Sequence, residues 1–248
     1  MDVAGRGESE WLENKSEYTF STYQSDAAAM LARAGAPAAR GWLSRSQGEN
    51  RLDWVGTSMG GLIGMFLAAR EGSPIRRLVL NDVGALVPWS ALFRMKGYIT
   101  RGRRFASLKA VETYLREVCA SFGPLSDEQW QHLARHSARP SDGGVRGSDF
   151  VLSYDPAIGE TLHGHIDPEF PIGPDLLRGI DLWNVFSRVR CPTLLLRGAE
   201  SDVLLPATVR EMKSRKPDLE VVEFPGVGHA PALMSDEQIA VVRSFLLR

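Results

Sequence analysis

Cysteine is scarce in this chain, and long apolar runs are missing. Only two cysteines, Cys119 and Cys191, occur among 248 residues, and they lie far apart in no ligand-like spacing. This pattern predicts free, buried thiols in a reducing compartment, with a single disulfide as the alternative. No stretch approaches the roughly 18 apolar residues of a membrane span, so we expect no membrane partner.

The chain also lacks an excess of charge of one sign and a targeting leader. Its formal net charge is −1, and no long run of like charge occurs. We therefore expect no nucleic-acid partner and interpret Arg101, Arg103 and Arg104 as a solvated surface stretch. The N-terminus, MDVAGRGESEW, carries acidic residues where a signal peptide needs a basic start and an apolar run. A cytoplasmic location is predicted on this ground.

Four short apolar runs bounded by turn residues predict buried parallel strands. They are Leu52–Val55, Leu78–Leu80, Thr193–Leu196 and Glu220–Phe224. Helical patterns follow three of them, at Gly61–Arg70, at Ala207–Arg215 and from about Asp236. Strands that alternate with helices predict an α/β fold, in which helices flank a mostly parallel sheet.

A long insertion separates the second predicted strand from the third. Within it, Lys109–Ala120 has helical spacing, and Ser126-Asp127-Glu128-Gln129 has the sequence of a capping box. The remainder is punctuated by Gly and Pro. We predict a core of residues 1–87 and 178–248, and an inserted helical lid at 88–177 over the carboxyl edge of the sheet.

Ser58 stands in Gly56-Thr57-Ser58-Met59-Gly60-Gly61, between a predicted strand and a predicted helix. This is the G-x-S-x-G pattern of a nucleophile elbow, in which a tight turn exposes the serine at the end of a strand. Glycines two positions on either side leave room for that turn. The pattern predicts Ser58 as a nucleophile and the N–H of Met59 as an oxyanion donor.

A serine hydroxyl needs a base, and five histidines are available. His229 follows the last predicted strand and therefore reaches the same sheet edge as Ser58, so it is the predicted base. His132 and His136 lie four apart on a predicted helix, and without a third ligand they predict no metal site. His163 and His165 fall in the insertion and have no partner in the sequence.

The acid that orients the base has three candidates in the sequence. Asp202 follows the predicted strand Thr193–Leu196 and would hold the histidine ring from that strand end. Asp82 ends the strand that contains Leu80, and Glu200 precedes Asp202 by two residues. Asp202 is the predicted acid, with Asp82 as the main alternative.

Several of these segments together resemble the α/β-hydrolase superfamily, specifically its lidded bacterial members. Besides Gly56–Gly61, they are Asp2–Ser9, which is similar to the family's D-x-x-G-x-G-x-S loop, Leu80–Gly84, Pro192–Asp202 and Gly226–Pro231. The resemblance covers nearly the whole chain. It implies the α/β-hydrolase fold and an enzyme that needs no cofactor.

By the same resemblance, the chain starts where the family's fourth strand ends. The family's earlier strands and its His-Gly loop, which donates a second oxyanion N–H, are then expected to be missing. The pair His163-Gly164 lies in the predicted lid and cannot replace that loop. Without a neighbouring strand, Leu52–Val55 is expected to form an edge of the sheet.

These residues predict a serine hydrolase that cleaves a small carboxylic ester or lactone through an acyl-Ser58 intermediate. In the predicted lid, Trp89, Phe93, Tyr98 and Trp130 are candidates to shape the acyl pocket. A triad enzyme of another reaction, such as carbon–carbon hydrolysis or acyl transfer, is one alternative. A non-catalytic protein or fragment of the same fold is the other.

Overall fold

The computed structural model describes residues 1–34, 52–99, 102–141, 149–161, 174–175 and 177–248; for 95–99, 160 and 161 this description is limited to the backbone. Arg101, His163, Gly164, His165, the side chain of Tyr98 and part of the predicted lid therefore lie outside it. Within the described residues, no helix is both long and apolar enough to cross a membrane.

Four parallel strands form the central sheet. In their order across the sheet they are β1 (Leu52–Thr57), β2 (Ile75–Asn81), β8 (Thr193–Gly198) and β9 (Glu220–Phe224). All four predicted strands are present, three of them longer than the apolar runs that predicted them. Among the described strands β1 pairs with β2 alone, and Val55 is 44% exposed.

Helices cover both faces of this sheet because side chains alternate along each strand. Leu78, Leu80 and Leu195 belong to the larger core, together with α1 (Phe20–Ala34), α2 (Met59–Ala68), α7 (Trp183–Phe186) and α8 (Pro206–Arg215). Val79, Leu194 and Leu196 pack on Phe245 of α9 (Asp236–Leu246), on the opposite face.

The predicted helices α2, α8 and α9 are present, and their ends follow local chemistry. Helix α2 starts two residues earlier than the apolar pattern indicated, directly after Ser58. Pro206 opens α8, where its fixed φ suits the first helical turn. The Ser235 side chain accepts the N–H of Gln238 at the start of α9. Helix α1 was not predicted, although Phe20, Tyr23, Ala27 and Leu31 give it one buried stripe.

A short antiparallel pair of strands joins the two ends of the long insertion. Strand β3 (Leu86–Pro88) pairs with β7 (Gly179–Asp181), so residues 88 and 179 lie side by side. The division into a core and a lid at 88–177 stays a prediction, and this pairing at its ends supports it.

Between β3 and β7 the insertion is less helical than the sequence indicated. It contains α3 (Trp89–Ile99), β4 (Arg104–Phe105), α4 (Leu108–Val118), α5 (Asp127–Ser137), β5 (Ala138–Pro140), β6 (Phe150–Leu152) and α6 (Ile158–Thr161). The three strands form a small antiparallel sheet in the order β4-β6-β5. The predicted capping box is formed at the start of α5, between Ser126 and Gln129.

Trp130 was a candidate for the acyl pocket, but the structure buries it within the insertion. It packs with Val111, Leu115 and Ala134 in the apolar cluster between α4 and α5, and the Arg116 guanidinium lies over its ring. The helical spacing that exposes one face of α5 buries the other face, and Trp130 lies on the buried face. Trp89 packs partly against the main core, whereas Phe93 is 70% exposed.

Candidate active site

Ser58 occupies a strained turn at the carboxyl end of β1. Its backbone has φ 51° and ψ −120°, a conformation that residues other than glycine rarely adopt. Of the flanking glycines, Gly56 is needed for space, because a Cβ there would lie 2.3 Å from the Gly60 carbonyl oxygen. A Cβ at Gly60 would meet nothing within 4 Å, so the expectation that both glycines leave room for the turn is wrong for Gly60.

His229 lies in the loop that follows β9 and contacts the serine. Its Nε2 is 3.0 Å from Ser58 Oγ. Ser121, in the single 3-10 turn after α4, fixes this loop from the insertion. The Ser121 carbonyl accepts the N–H of Gly228 at 2.7 Å, and its hydroxyl donates to the carbonyl of His229 at 2.9 Å. The structure thus brings together Ser58 and His229, as the sequence predicted, and uses the insertion to hold the histidine.

The carboxylate on the far side of the histidine ring belongs to Asp82. His229 Nδ1 lies 2.8 Å from Asp82 Oδ2, and Asp82 is fully buried. This contact corrects the expectation that Asp202 holds the ring. The physical reason is local, since Asp82 directly follows β2 and is buried beside the ring. Asp202 lies beyond the end of β8 in an exposed part of the loop, where its carboxylate pairs with Arg94.

Two further donors complete the environment of Asp82, and both come from the end of β8. The Gly198 N–H donates to Asp82 Oδ1 at 2.9 Å, and the Ser201 hydroxyl donates to Oδ2 at 2.6 Å. Buried Arg197 anchors the same loop by donating to the carbonyls of Leu204 and Ala199, at 2.7 Å and 3.0 Å. The loop that was expected to supply the acid therefore supplies groups that orient it.

Asn81, the residue before Asp82, links the serine turn to the histidine loop. Its buried Nδ2 donates to Thr57 Oγ1 at 2.9 Å and to the Pro231 carbonyl at 2.8 Å. Thr57 precedes Ser58, and Pro231 lies two residues after His229. Sequence reasoning missed Asn81, Ser121 and Ser201, because their roles depend on contacts between segments that are distant in the chain.

Asp202 pairs with a cation of the insertion instead of the histidine. Arg94 on α3 donates from Nε to Oδ2 at 2.6 Å and from Nη2 to Oδ1 at 2.7 Å. Burial alone would raise the pKa of Asp202, but the hydrogen bonds and charge of Arg94, with a smaller contribution from the charge of His229, lower it. Glu200, the other rival, is exposed.

Met59 is the first residue of α2, and its N–H therefore has no acceptor within the helix. That amide lies next to Ser58 at the positive end of the helix. An anion that forms beside Ser58 Oγ would be stabilised there. Met59 stays the predicted oxyanion donor.

Among the described residues, no group of three or more His, Cys, Asp or Glu side chains could hold a metal ion. His132 and His136 are exposed, with ring centroids 4.3 Å apart. Cys119 and Cys191 are free and half-buried. Burial raises the pKa of Cys119 to about 11 and also raises that of Cys191, so both thiols are poor nucleophiles near neutral pH.

A continuous chain of hydrogen bonds therefore joins Ser58, His229 and Asp82. Such a chain lets the imidazole accept a serine proton while the carboxylate orients the ring and stabilises its charged form. All three residues follow strands of one parallel sheet, at the edge where α/β proteins bind their ligands.

Comparison with known proteins identifies the family of this chain. The sequence profile of the Alpha/beta hydrolase family matches residues 1–242. A 3-hydroxybutyrate-oligomer hydrolase from Cupriavidus necator is 38% identical over 244 residues, which are 98% of this chain and 77% of that protein.

Solved structures of related proteins have the same fold. An alpha/beta hydrolase from Novosphingobium aromaticivorans superposes with a TM-score of 0.79 at 31% identity, over 99% of this chain and 78% of that one. A putative hydrolase from Rickettsia typhi gives a TM-score of 0.80 at 27% identity, over 98% and 74%. This chain is a hydrolase and belongs to the Alpha/beta hydrolase family.

Proposed function

We propose that this chain is a serine hydrolase that cleaves a carboxylic ester through an acyl-Ser58 intermediate. The observation that carries the proposal is the hydrogen-bond chain from Ser58 Oγ through His229 to Asp82, with distances of 3.0 Å and 2.8 Å. Distances of this size are those expected between a nucleophile, its base and the residue that orients the base.

In the proposed first half of the reaction, Ser58 Oγ attacks the ester carbonyl carbon while its proton passes to His229 Nε2. Asp82 accepts the hydrogen bond of Nδ1–H and stabilises the resulting imidazolium. The Met59 N–H donates to the oxyanion of the tetrahedral intermediate. The intermediate collapses when the alkoxide leaves with the proton held by His229.

In the second half, His229 removes a proton from water, which attacks the acyl carbon bound to Ser58. The second tetrahedral intermediate collapses, the acid is released, and Ser58 recovers its proton from His229. Every proton transfer in this scheme uses Nε2, which requires Nδ1 to keep its proton. The contact with Asp82 Oδ2 favours that tautomer.

We further propose that the insertion, residues 88–177, acts as a lid over this site. Ser121 supports this role, because it holds the histidine loop by two hydrogen bonds. Gln129 of α5 adds a third link by donating to the Met234 carbonyl at 2.7 Å. Through these contacts, a movement of the insertion would change the position of His229.

3-Hydroxybutyrate oligomers are the first substrates to test, because the Cupriavidus necator relative is named for hydrolysing them. Lactones of similar size test the cyclic esters that the same acyl-serine chemistry would open.

Labelling with a fluorescent fluorophosphonate tests the proposal directly, because this probe phosphonylates only an activated serine. We expect the purified chain to be labelled, Ser58→Ala to remain unlabelled, and the control Ser244→Ala, an exposed serine on α9, to label like the parent chain. Ester hydrolysis should follow the same order. Labelling of Ser58→Ala at the parental level would remove Ser58 from the mechanism, and an unlabelled, folded parent chain would contradict the proposal.

A further inference from the structure

Arg94 and Asp202 form an ion pair, and Asp202 is the sequence neighbour of Ser201, which contacts the candidate triad. The Ser201 hydroxyl contacts Asp82 Oδ2, the same oxygen that His229 Nδ1 contacts. Asp202 is the next residue, and its carboxylate holds the Arg94 guanidinium. Helix α3, which carries Arg94, is the first element of the insertion after β3. This positive charge therefore lies at the same carboxyl edge of the sheet as Ser58 and Asp82.

The geometry of this pair suits exchange of one carboxylate for another. The Nε and Nη2 atoms of Arg94 each donate to a different oxygen of the carboxylate, a bidentate contact that arginine can form and lysine cannot. The Arg94 side chain is 41% exposed and that of Asp202 is 49% exposed, so both are open to solvent. Exposed ion pairs contribute little net stability, and a ligand can therefore displace one partner at small cost.

The local field favours a negative charge at this place. Burial acts to raise the pKa of Asp202, but the hydrogen bonds and the positive charge of Arg94 outweigh that effect and lower it. A substrate carboxylate that took the place of Asp202 would experience the same attraction. In the described structure, Asp202 contributes no contact to the histidine ring, so its exchange leaves the triad intact.

We propose that Arg94 binds a free carboxylate of the substrate, and that Asp202 holds the guanidinium in position until the substrate arrives. This inference rests on the proposed function and names its substrate class, esters that carry a second, ionised carboxyl group on the acyl side of the cleaved bond. Arg94 is then a specificity-determining residue of the ester-cleaving site.

A pair of activated esters that differ only in this carboxylate tests the inference. 4-Nitrophenyl hydrogen glutarate has an ionised carboxylate where 4-nitrophenyl pentanoate has a methyl group, and the cleaved bond is the same. We expect Arg94→Gln to lower the ratio of kcat/KM for the anionic over the neutral ester about tenfold, mainly through KM. Arg94→Lys should retain part of the preference, since it keeps the charge and loses the bidentate contact.

Arg76→Gln is the matched control. Arg76 forms the same bidentate contact with Asp53, but at the amino ends of β1 and β2, opposite the site. Arg76→Gln removes one positive charge, as Arg94→Gln does. A purely long-range effect of net charge would therefore change the ratio of kcat/KM for the anionic over the neutral ester in both variants. The inference requires the ratio of Arg76→Gln to stay at the parental value.

Asp202→Asn provides the reciprocal test. Removal of the competing carboxylate should raise the anionic-to-neutral ratio severalfold, whereas Asp53→Asn should leave it unchanged. A ratio that Arg94→Gln does not alter overturns the inference and leaves the proposed function standing. A parent chain that hydrolyses neither ester, or a Ser58→Ala variant that hydrolyses both at the parental rate, contradicts the proposed function itself.

Discussion

At the scale of single residues, the site depends on how completely one carboxylate is held. Asp82 accepts hydrogen bonds from His229, Gly198 and Ser201, and no part of it is exposed. A buried charge is stable only when it is hydrogen-bonded in this way. The three donors come from two different loops, so the position of Asp82 also fixes the loops relative to each other.

This arrangement predicts different outcomes for the two aspartates at the sheet edge. Asp82→Asn keeps the shape of the side chain but removes the charge that orients His229, and it favours the wrong tautomer. We expect kcat for a neutral ester to fall by about 10³–10⁴-fold. Asp202→Asn should change kcat for that ester by less than about tenfold, because Asp202 contacts Arg94 and not the ring. Steady-state kinetics with 4-nitrophenyl pentanoate measure both.

The opposite ranking, with Asp202→Asn nearly inactive and Asp82→Asn active, would restore the assignment that the sequence favoured. Circular dichroism in the far ultraviolet serves as the control for folding of both variants. Because Asn and Asp have the same shape, an unchanged spectrum means that the fall in kcat results from the missing charge and not from misfolding.

Sequence motifs predicted the proposed nucleophile and the proposed base because each lies in a local pattern. Ser58 has its glycine-bounded turn, and His229 follows the last strand. The acid has no such pattern, and both Asp82 and Asp202 follow strands of the sheet. The fold decides between them, because Asp82 is buried directly at the end of β2 beside the ring, whereas Asp202 lies further along its loop and pairs with Arg94. The pairing of Asp202 with Arg94 is equally invisible in the sequence, since 108 positions separate the two residues.

At the scale of elements, the turn between β1 and α2 is a tightly packed junction of the site. The backbone of Gly56 lies so close to that of Gly60 and Gly61 that no side chain fits between them. A Cβ on Gly61 would lie 2.5 Å from a Val83 methyl group and 2.9 Å from the Gly56 carbonyl oxygen. The close contact of strand and helix, more than the G-x-S-x-G pattern itself, explains which glycines are required.

We therefore predict opposite effects for two glycines of the same motif. Gly56→Ala should lower the free energy of unfolding by about 2–3 kcal/mol, because backbone atoms must move to admit the methyl group. Gly60→Ala should leave it unchanged or raise it by up to about 1 kcal/mol, since alanine favours the helix and the space is open. Urea unfolding of both variants measures the difference. Equal destabilisation by the two substitutions would contradict the packing argument.

The insertion shows why its internal structure was predicted less well than the sheet. Helices α4 and α5 have strong apolar stripes, and both were recognised from local spacing or a capping signal. Strands β3 and β7 have three residues each, and β4 has two. Strands of this length have no period that could be detected, and they exist because distant segments pair. The same reason explains why Trp130 was assigned to the pocket, when it packs between α4 and α5.

At the scale of the whole molecule, the N-terminal segment joins the insertion to the core. The N–H of Gly7 donates to the Ser153 carbonyl, and the N–H of Asp155 donates to the Gly5 carbonyl, each at 2.8 Å. The buried side chain of Asp155 lies at the centre of this junction. It accepts hydrogen bonds from the Lys15 ammonium group at 2.7 Å and the Tyr18 hydroxyl at 2.8 Å.

The pKa of Asp155 gives this junction a testable dependence on pH. Burial acts to raise it, but the contacts with Lys15, the Ala157 N–H and Tyr18 outweigh that effect and lower it below the ordinary value of 3.8. A carboxyl group whose pKa is lower in the folded than in the unfolded chain adds stability above its unfolded pKa. That contribution disappears as the pH falls through the folded pKa.

Asp155→Asn should therefore be less stable than the parent chain by about 1–2 kcal/mol at pH 7, where the charge-assisted hydrogen bonds are complete. The gap in urea midpoint between the two chains should stay constant down to about pH 4 and narrow at lower pH, because Asp155 then gains a proton in the parent chain. Glu17→Gln, which removes an exposed charge from the same segment, should show little gap at any pH. A gap for Asp155→Asn that is independent of pH would mean that the carboxylate acts through shape alone, and that the N-terminal segment is joined to the insertion without help from its charge.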